Sequence, residues 1–170
     1  QIGQDGTGTV NGYFIGPNVN YQWINLSGVN LAGADLTGAN LRYVNFSGSD
    51  LSGAAFTSTD LHGVNFAEAN LNDATFTSAT LYEGGDQYGN FNKANLSGTN
   101  FTNARFIDGM SLSDADLTDA NLSGTEFFFS DFTGANFTGA NLSGTSMPNA
   151  TLSGIISGSI TGNPKALPED

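Results

Sequence analysis

The chain has 170 residues, with 4 Lys or Arg against 16 Asp or Glu and a formal net charge of −12. So acidic a chain is excluded from binding a nucleic-acid backbone, which needs basic groups to displace counterions. It has no Cys and one His, His62, which excludes disulfide frameworks, thiol chemistry and a His-built metal centre; no apolar run approaches the ~20 residues of a membrane-spanning helix.

Residues 1–23 read as a lead-in and cap. Tyr13, Phe14, Ile15, Tyr21 and Trp23 are expected to cover the first turn of the adjoining tract, because an open terminal strand exposes unpaired backbone groups. Residues 24–156 carry a period of five. From Leu26 every fifth residue is Leu or Phe as far as Leu81; the slot at 86 holds Asp86, and the series resumes at Phe91. After Phe106 one residue is inserted, and the frame restarts at Leu112 and runs to Leu152. Of 26 slots, 24 are Leu or Phe, so the pattern is not chance. Two residues before the slot 13 of 26 are Ala, and one before it 17 of 26 are Asn or Asp. A helix needs an apolar period near 3.6 and a strand needs 2. A period of 5 fits a chain that turns a corner at every unit, pointing one large and one small side chain inward. Gly two residues after many slots suits the corners, where φ is often positive, and Asn and Asp bond locally to turn backbone.

The unit A-[N/D]-[L/F]-x-x resembles the pentapeptide-repeat family over residues 22 to 156. The resemblance implies an all-β fold, a right-handed quadrilateral β-solenoid with four pentapeptides per coil. On that geometry the chain makes six to seven coils, a rod ~30 Å long at the β-ladder spacing. The segment Asn11-Gly12-Tyr13-Phe14-Ile15-Gly16-Pro17 is similar to the lead-in before pentapeptide tracts in large secreted multi-module bacterial proteins. Residues 157–170 are similar to the matching run-out, an extended tail or linker. Gln1 in place of Met fits a removed leader or a trimmed chain.

The frame breaks near 82–90 and 108–111. The first break is read as a loop that keeps Asp86 solvated, since a buried carboxylate without a partner is costly. Gly84-Gly85-Asp86 is a single copy of what calcium-binding β-rolls repeat many times, so no metal is expected. Asp114 and Asp116 lack the desolvation that acid–base catalysis needs, and His62 is expected on an outer wall without a pocket. No catalytic residue and no cofactor is expected.

Two surface clusters remain. Counting four pentapeptides per coil stacks Arg42, His62 and Tyr82, with Tyr43 and Glu83 beside them. The same count, allowing for the inserted residue, stacks Ile107, Phe128 and Pro148, with Phe129 next to Phe128. Both phenylalanines follow core Phe127 and are expected to be exposed, forming a contact surface. The count also spreads the acids over every wall, Asp35 sharing one with Asp116.

The sequence therefore reads as a non-enzymatic structural or interaction module of a secreted or cell-surface assembly. Its partner is protein, either itself or neighbouring modules, and stacking can run end to end into a filament. The alternative is a DNA-mimic inhibitor of a type II topoisomerase, suggested by the charge; the dimer helix at the C-terminus of such inhibitors has no counterpart in a tail with Gly162, Pro164 and Pro168. A β-solenoid carbohydrate-active enzyme is a remote third reading, resting on fold analogy alone.

Overall fold

The computed structural model describes residues 1–82 and 89–166; Glu83, Asp86 and the loop assigned to them lie outside the described residues. Each pentapeptide folds by local rules. The Leu or Phe slot points inward, and its carbonyl accepts the N–H three residues on, as in Ala34 N to Leu31 O at 3.0 Å. The third turn residue has a positive φ: 70° at Gly33 and 58° at Tyr43. That is the type II turn, in which this position is normally Gly or Asn. The Asn or Asp before the slot caps the same turn. Its Oδ1 accepts the N–H two residues on, at 3.0 Å from Asn25 to Ser27 and 3.1 Å from Asp50 to Ser52.

Successive corners return the chain to the same place at every fourth pentapeptide. Parallel bridges form there, as from Asn20 to Asn40 and from Asn40 to Asp60. Four ladders result, starting at Asn20, Asn25, Asn30 and Asp35. The coil is therefore an all-β solenoid. Each side is too short for more than a single bridge at most levels. Among the described residues, longer parallel strands occur only on the Asn20 ladder: β3 (Thr80–Tyr82), β4 (Arg105–Ile107) and β5 (Glu126–Phe127). Two irregular steps interrupt the register. Asn65 bridges Asn90, one pentapeptide further on than a regular coil, and Asn90 bridges Ser111, a single residue further on. These steps move Asp116 off the expected Asp35 ladder onto the Asn30 ladder, below Asn95.

The interior is one continuous core. Phe56, Phe76 and Phe101 stack with ring centroids 4.7 and 4.9 Å apart, beside a second column of Phe46, Phe66 and Phe91 at 5.3 and 4.9 Å. Contacts between the columns are edge-to-face, an arrangement the ring quadrupole favours. Where buried, the second inward slot is filled by Ala at most levels, by Val44, Val64 and Met110 at three, and at others by a hydroxyl that bonds the preceding coil, such as Thr59 Oγ1 to Leu36 O at 2.9 Å and Thr125 Oγ1 to Phe101 O at 2.8 Å. Ser130 breaks this rule: its Oγ is buried without a partner among the described residues. It follows the one-residue insertion, where the Phe106 carbonyl instead accepts the Phe128 N–H at 3.1 Å. A buried hydroxyl left unpaired costs about 1–3 kcal/mol. Ser130→Ala should therefore stabilise the chain by about 1 kcal/mol, read from the urea midpoint.

The two ends differ. At the first coil an antiparallel hairpin of β1 (Gly8–Val10) and β2 (Tyr13–Ile15) covers the core. Ile15 is fully buried, Tyr13 and Tyr21 pack edge-to-face at 5.3 Å, and the Asp35 N–H donates to Gly6 O at 2.7 Å. Gly6 sits at φ 77°, and a Cβ there would stand 2.8 Å from Asp35 N, so only glycine fits this lock. At the last coil no such hairpin stands among the described residues. Phe137, Leu142, Met147, Leu152, Ile155 and Ile160 line an apolar cup of about 290 Å³. Bridging reaches beyond the five-residue period, from Asn20 to Ala166, so part of the expected tail pairs with the last coil.

Candidate interaction face

Three of the four faces are alike. One residue past the core slot they carry Ser, Thr, Ala, Asn or Gly at every described level, as at Ser47, Ser52 and Thr57. The Asn20 ladder is different. At the same position it carries Gln22, Arg42, His62, Tyr82, Ile107, Phe128 and Pro148 in order along the rod. The two clusters read separately from the sequence are thus one stripe. Tyr82 and Ile107 are direct partners across β3 and β4, although five pentapeptides rather than four separate them.

The adjoining corner sharpens the contrast. Its positive-φ residues are Trp23 (61°), Tyr43 (58°), Gly63 (61°), Asp108 (59°), Phe129 (57°) and Asn149 (58°) among the described residues, while the other three corners hold Gly, Ser, Asn, Asp, Glu or Lys. A bulky residue in this backbone region is strained, and such strain concentrates at functional sites. Trp23 and Tyr43 stack flat, 3.9 Å apart and 8° from parallel. Gly63, at φ 61°, makes room on the far side of Tyr43, since a Cβ there would collide with the ring. Trp23 is 63% exposed, which corrects the expectation that it caps the first coil: it occupies a side corner one level above Tyr43. Phe14 likewise stands outside the cap, 52% exposed.

The polar half of the stripe is tied together by Asp60. Its Oδ2 accepts from Arg42 Nε at 2.8 Å, and its Oδ1 bonds His62 Nδ1. His62 lies beside Tyr82, ring centroids 5.2 Å apart. Burial pushes the Asp60 carboxyl up, but the hydrogen bonds from His62 and Arg42 more than offset it and hold it below the usual carboxylate range. Asp50 and Asp131 are lowered chiefly by the hydroxyls of Ser52 and Thr133 that cap their turns. A lowered folded-state pKa contributes stability that is present above the unfolded value of about 3.9 and is lost as pH falls through the folded one. Stability should therefore hold from neutral pH down to about pH 4 and decline below it. Asp60→Asn should flatten that decline in an acid titration of the unfolding midpoint.

In the apolar half, Phe129 is 59% exposed, whereas Phe128 is half-buried, which corrects the expectation that both are free. Phe128 is held in the sheet, its N–H donating to Phe106 O and its carbonyl accepting from Gly109 N, both at 3.1 Å. Beside them Arg105 Nε meets Glu126 Oε2 at 3.0 Å. Both arginines of the chain thus stand on this face, each against a carboxylate. Among the described residues no group of three or more His, Asp or Glu is placed to hold a metal, and no helix is long and apolar enough to cross a membrane.

A family profile described as pentapeptide repeats matches in eight copies over residues 22–57, 54–83, 87–124 and 111–154. No curated protein matches the sequence. Among solved structures, a trypsin-treated variant of QnrB1, a plasmid-mediated fluoroquinolone resistance protein, is 16% identical, with 86% of this chain and 91% of that one covered and a TM-score of 0.49. The pentapeptide repeat protein Rfr23 from the cyanobacterium Cyanothece 51142 is 24% identical over 86% of this chain and 90% of that one, TM-score 0.38. A pentapeptide repeat protein from the Arabidopsis thaliana thylakoid lumen is 27% identical over 76% and 69%, TM-score 0.30. With its five-residue unit, its four parallel ladders and repeat matches over most of its length, the chain belongs to the pentapeptide-repeat family, and its fold is a right-handed β-solenoid.

Proposed function

We propose that the chain is a non-enzymatic structural and interaction module of a secreted or cell-surface assembly, stacking end to end with neighbouring modules or copies. The four ladders and their return at every fourth pentapeptide support a quadrilateral coil of six to seven turns. One observation carries the stacking. The apolar cup at the last coil, with Ile160 37% exposed among its lining residues, is a core surface without a cover among the described residues. The charge distribution supports the same direction of assembly. Residues 6–34 and 132–164 contain no Asp, Glu, Lys or Arg, and only Asp5, Lys165, Glu169 and Asp170 lie outward of them, so most of the charge falls between residues 35 and 131. Rods of this kind repel side by side on their acidic faces and approach freely at their ends. The hairpin, with exposed Phe14, is the surface offered to the cup. Acidic residues on all four ladders, rather than in one stripe, support this reading over a DNA-mimicking inhibitor.

Negative-stain electron microscopy and light scattering at high protein concentration test it. Linear assemblies are expected, and Ile160→Asp, in the lining of the cup, should abolish them. Particles that stay one or two rods long at every concentration would sink the end-to-end reading.

A further inference from the structure

We propose that the wall built on the Asp35 ladder pairs with the same wall of a second copy, the two rods running antiparallel. The inference goes beyond end-to-end stacking and adds a lateral contact to it. Charge singles this wall out. Four acids, Asp50, Asp73, Asp116 and Asp119, stand on the Asn30 ladder and its corner, with no base among the described residues there. The Asn25 ladder and its corner carry Glu68, Asp114 and Asp131 against Lys93, and the Asn20 ladder carries three described acids against its two arginines. On the Asp35 ladder the described charges are one acid at the first coil, Asp35, and one base at the last, Lys165. Between them, from Ala55 to Asn163, this wall and its corner hold no charge at all. A second rod of net charge −12 is repelled by the acidic walls and can come close along this one.

The wall also has bonds to offer. The Asn or Asp that caps the turn elsewhere is missing at Ala55 and Thr75. The half-buried hydroxyls of Thr57, Thr75, Thr77 and Ser123 have no hydrogen-bond partner among the described residues. The ladder has seven levels, with Asn100 in the middle. A two-fold axis across the wall at Asn100 sets each level against the one equally far on the other side, the self-complementary arrangement of a symmetric pair. Thr77 then faces Ser123 of the second copy, and Thr57 faces its Ser143, so hydroxyl meets hydroxyl. The Asp35 end of each rod comes to lie against the Lys165 end of the other. A parallel pairing sets Asp35 beside Asp35 and Lys165 beside Lys165, so the antiparallel one is preferred. Seven levels at ~4.8 Å, with a wall about three residues across, make a contact of roughly 300 Å² per rod. That is smaller than the ~800 Å² per partner of a standard interface, so the pair is weak and concentration-dependent.

The cysteine-free sequence makes the test clean. Thr102→Cys places a thiol at the axis, and a short bismaleimide should cross-link two copies through it. Ser97→Cys, at the same coil on the Asn30 ladder, should give no cross-link. Sedimentation equilibrium in the Ile160→Asp background, which removes the end contact, should show the mass rising toward twice the monomer as concentration increases. Thr77→Asp should weaken that association about ten-fold or more, because it buries an unpaired charge at two places in the pair. Thr77→Lys combined with Ser123→Asp should restore it, since those positions face each other only in the antiparallel register. The core is untouched in all of these variants, so an unchanged melting temperature separates lost pairing from lost folding. A monomer at all concentrations, equal cross-linking at both positions, association indifferent to Thr77→Asp, or no rescue by the double variant would overturn the proposal. Filament growth, or its absence, bears on the end contact alone, because the contrast between Thr102→Cys and Ser97→Cys reads the lateral contact in either case.

Discussion

Phe76→Ala should destabilise the solenoid by about 3–5 kcal/mol, the range for removing a fully buried aromatic ring. Phe76 has no exposed surface and sits between Phe56 and Phe101 in one stack while touching Phe66 and Phe91 edge-on. Four aromatic contacts are lost at once. The cavity left behind cannot close readily, because the coils above and below are held at fixed spacing by backbone bonds such as Leu71 N to Asn95 O at 2.8 Å. Guanidinium unfolding followed by far-ultraviolet circular dichroism measures the loss. Leu152→Ala, at the half-buried rim of the cup, should cost distinctly less. Equal losses at the two sites would contradict a core that is closed in the middle and open at one end.

Asn95→Pro should cost about 3 kcal/mol or more. Proline removes the N–H that bonds Ala69 O at 3.0 Å, in the middle of the Asn30 ladder. It also removes the side-chain bonds from Nδ2 to Asn70 Oδ1 at 3.0 Å and from Ser97 N to Oδ1 at 3.1 Å. Asn95→Ala keeps the backbone bond and loses only the side-chain ones, so it should cost about 1 kcal/mol. The difference between the two variants isolates the inter-coil bond. Amide exchange checks it locally: Pro should accelerate exchange at Leu71 and Leu96, and Ala should not.

The core is legible in the sequence because one rule, a corner at every pentapeptide, decides which side chains point inward. Leu31, Phe56 and Phe101 occupy slots in that frame, and Ala34 and Ala104 are the small partners beside them; all are buried. The candidate face is less legible, and the reason is register. The ladder passes from Thr80 to Arg105 with one pentapeptide more than a regular coil, so Tyr82 and Ile107 look unrelated in a count of four units, although their strands are paired. The same step moves Asp116 to another face. Trp23 reads as a lid because the apolar series begins at Leu26. The Asn20–Asn40 bridge shows the coil already under way at Tyr21, which makes Trp23 the corner residue of its turn. Phe128 follows a core slot and so reads as exposed, but strand pairing in β4 and β5 draws it partly in. The open cup has a signal in the sequence, the uncharged stretch from 132 to 164, yet only the folded coil shows that its apolar residues converge on one end.

The ladders also determine how the rod responds to force. The inter-coil hydrogen bonds run along the rod axis, and each coil holds only its two neighbours. Tension applied between the ends therefore pulls those bonds apart one coil at a time rather than shearing many together. Each released coil, about 20 residues, can extend to ~66–72 Å of chain where it had occupied ~4.8 Å. Anchored at its two ends, such a module yields gradually and lengthens in steps, acting as an extensible tether rather than a rigid strut.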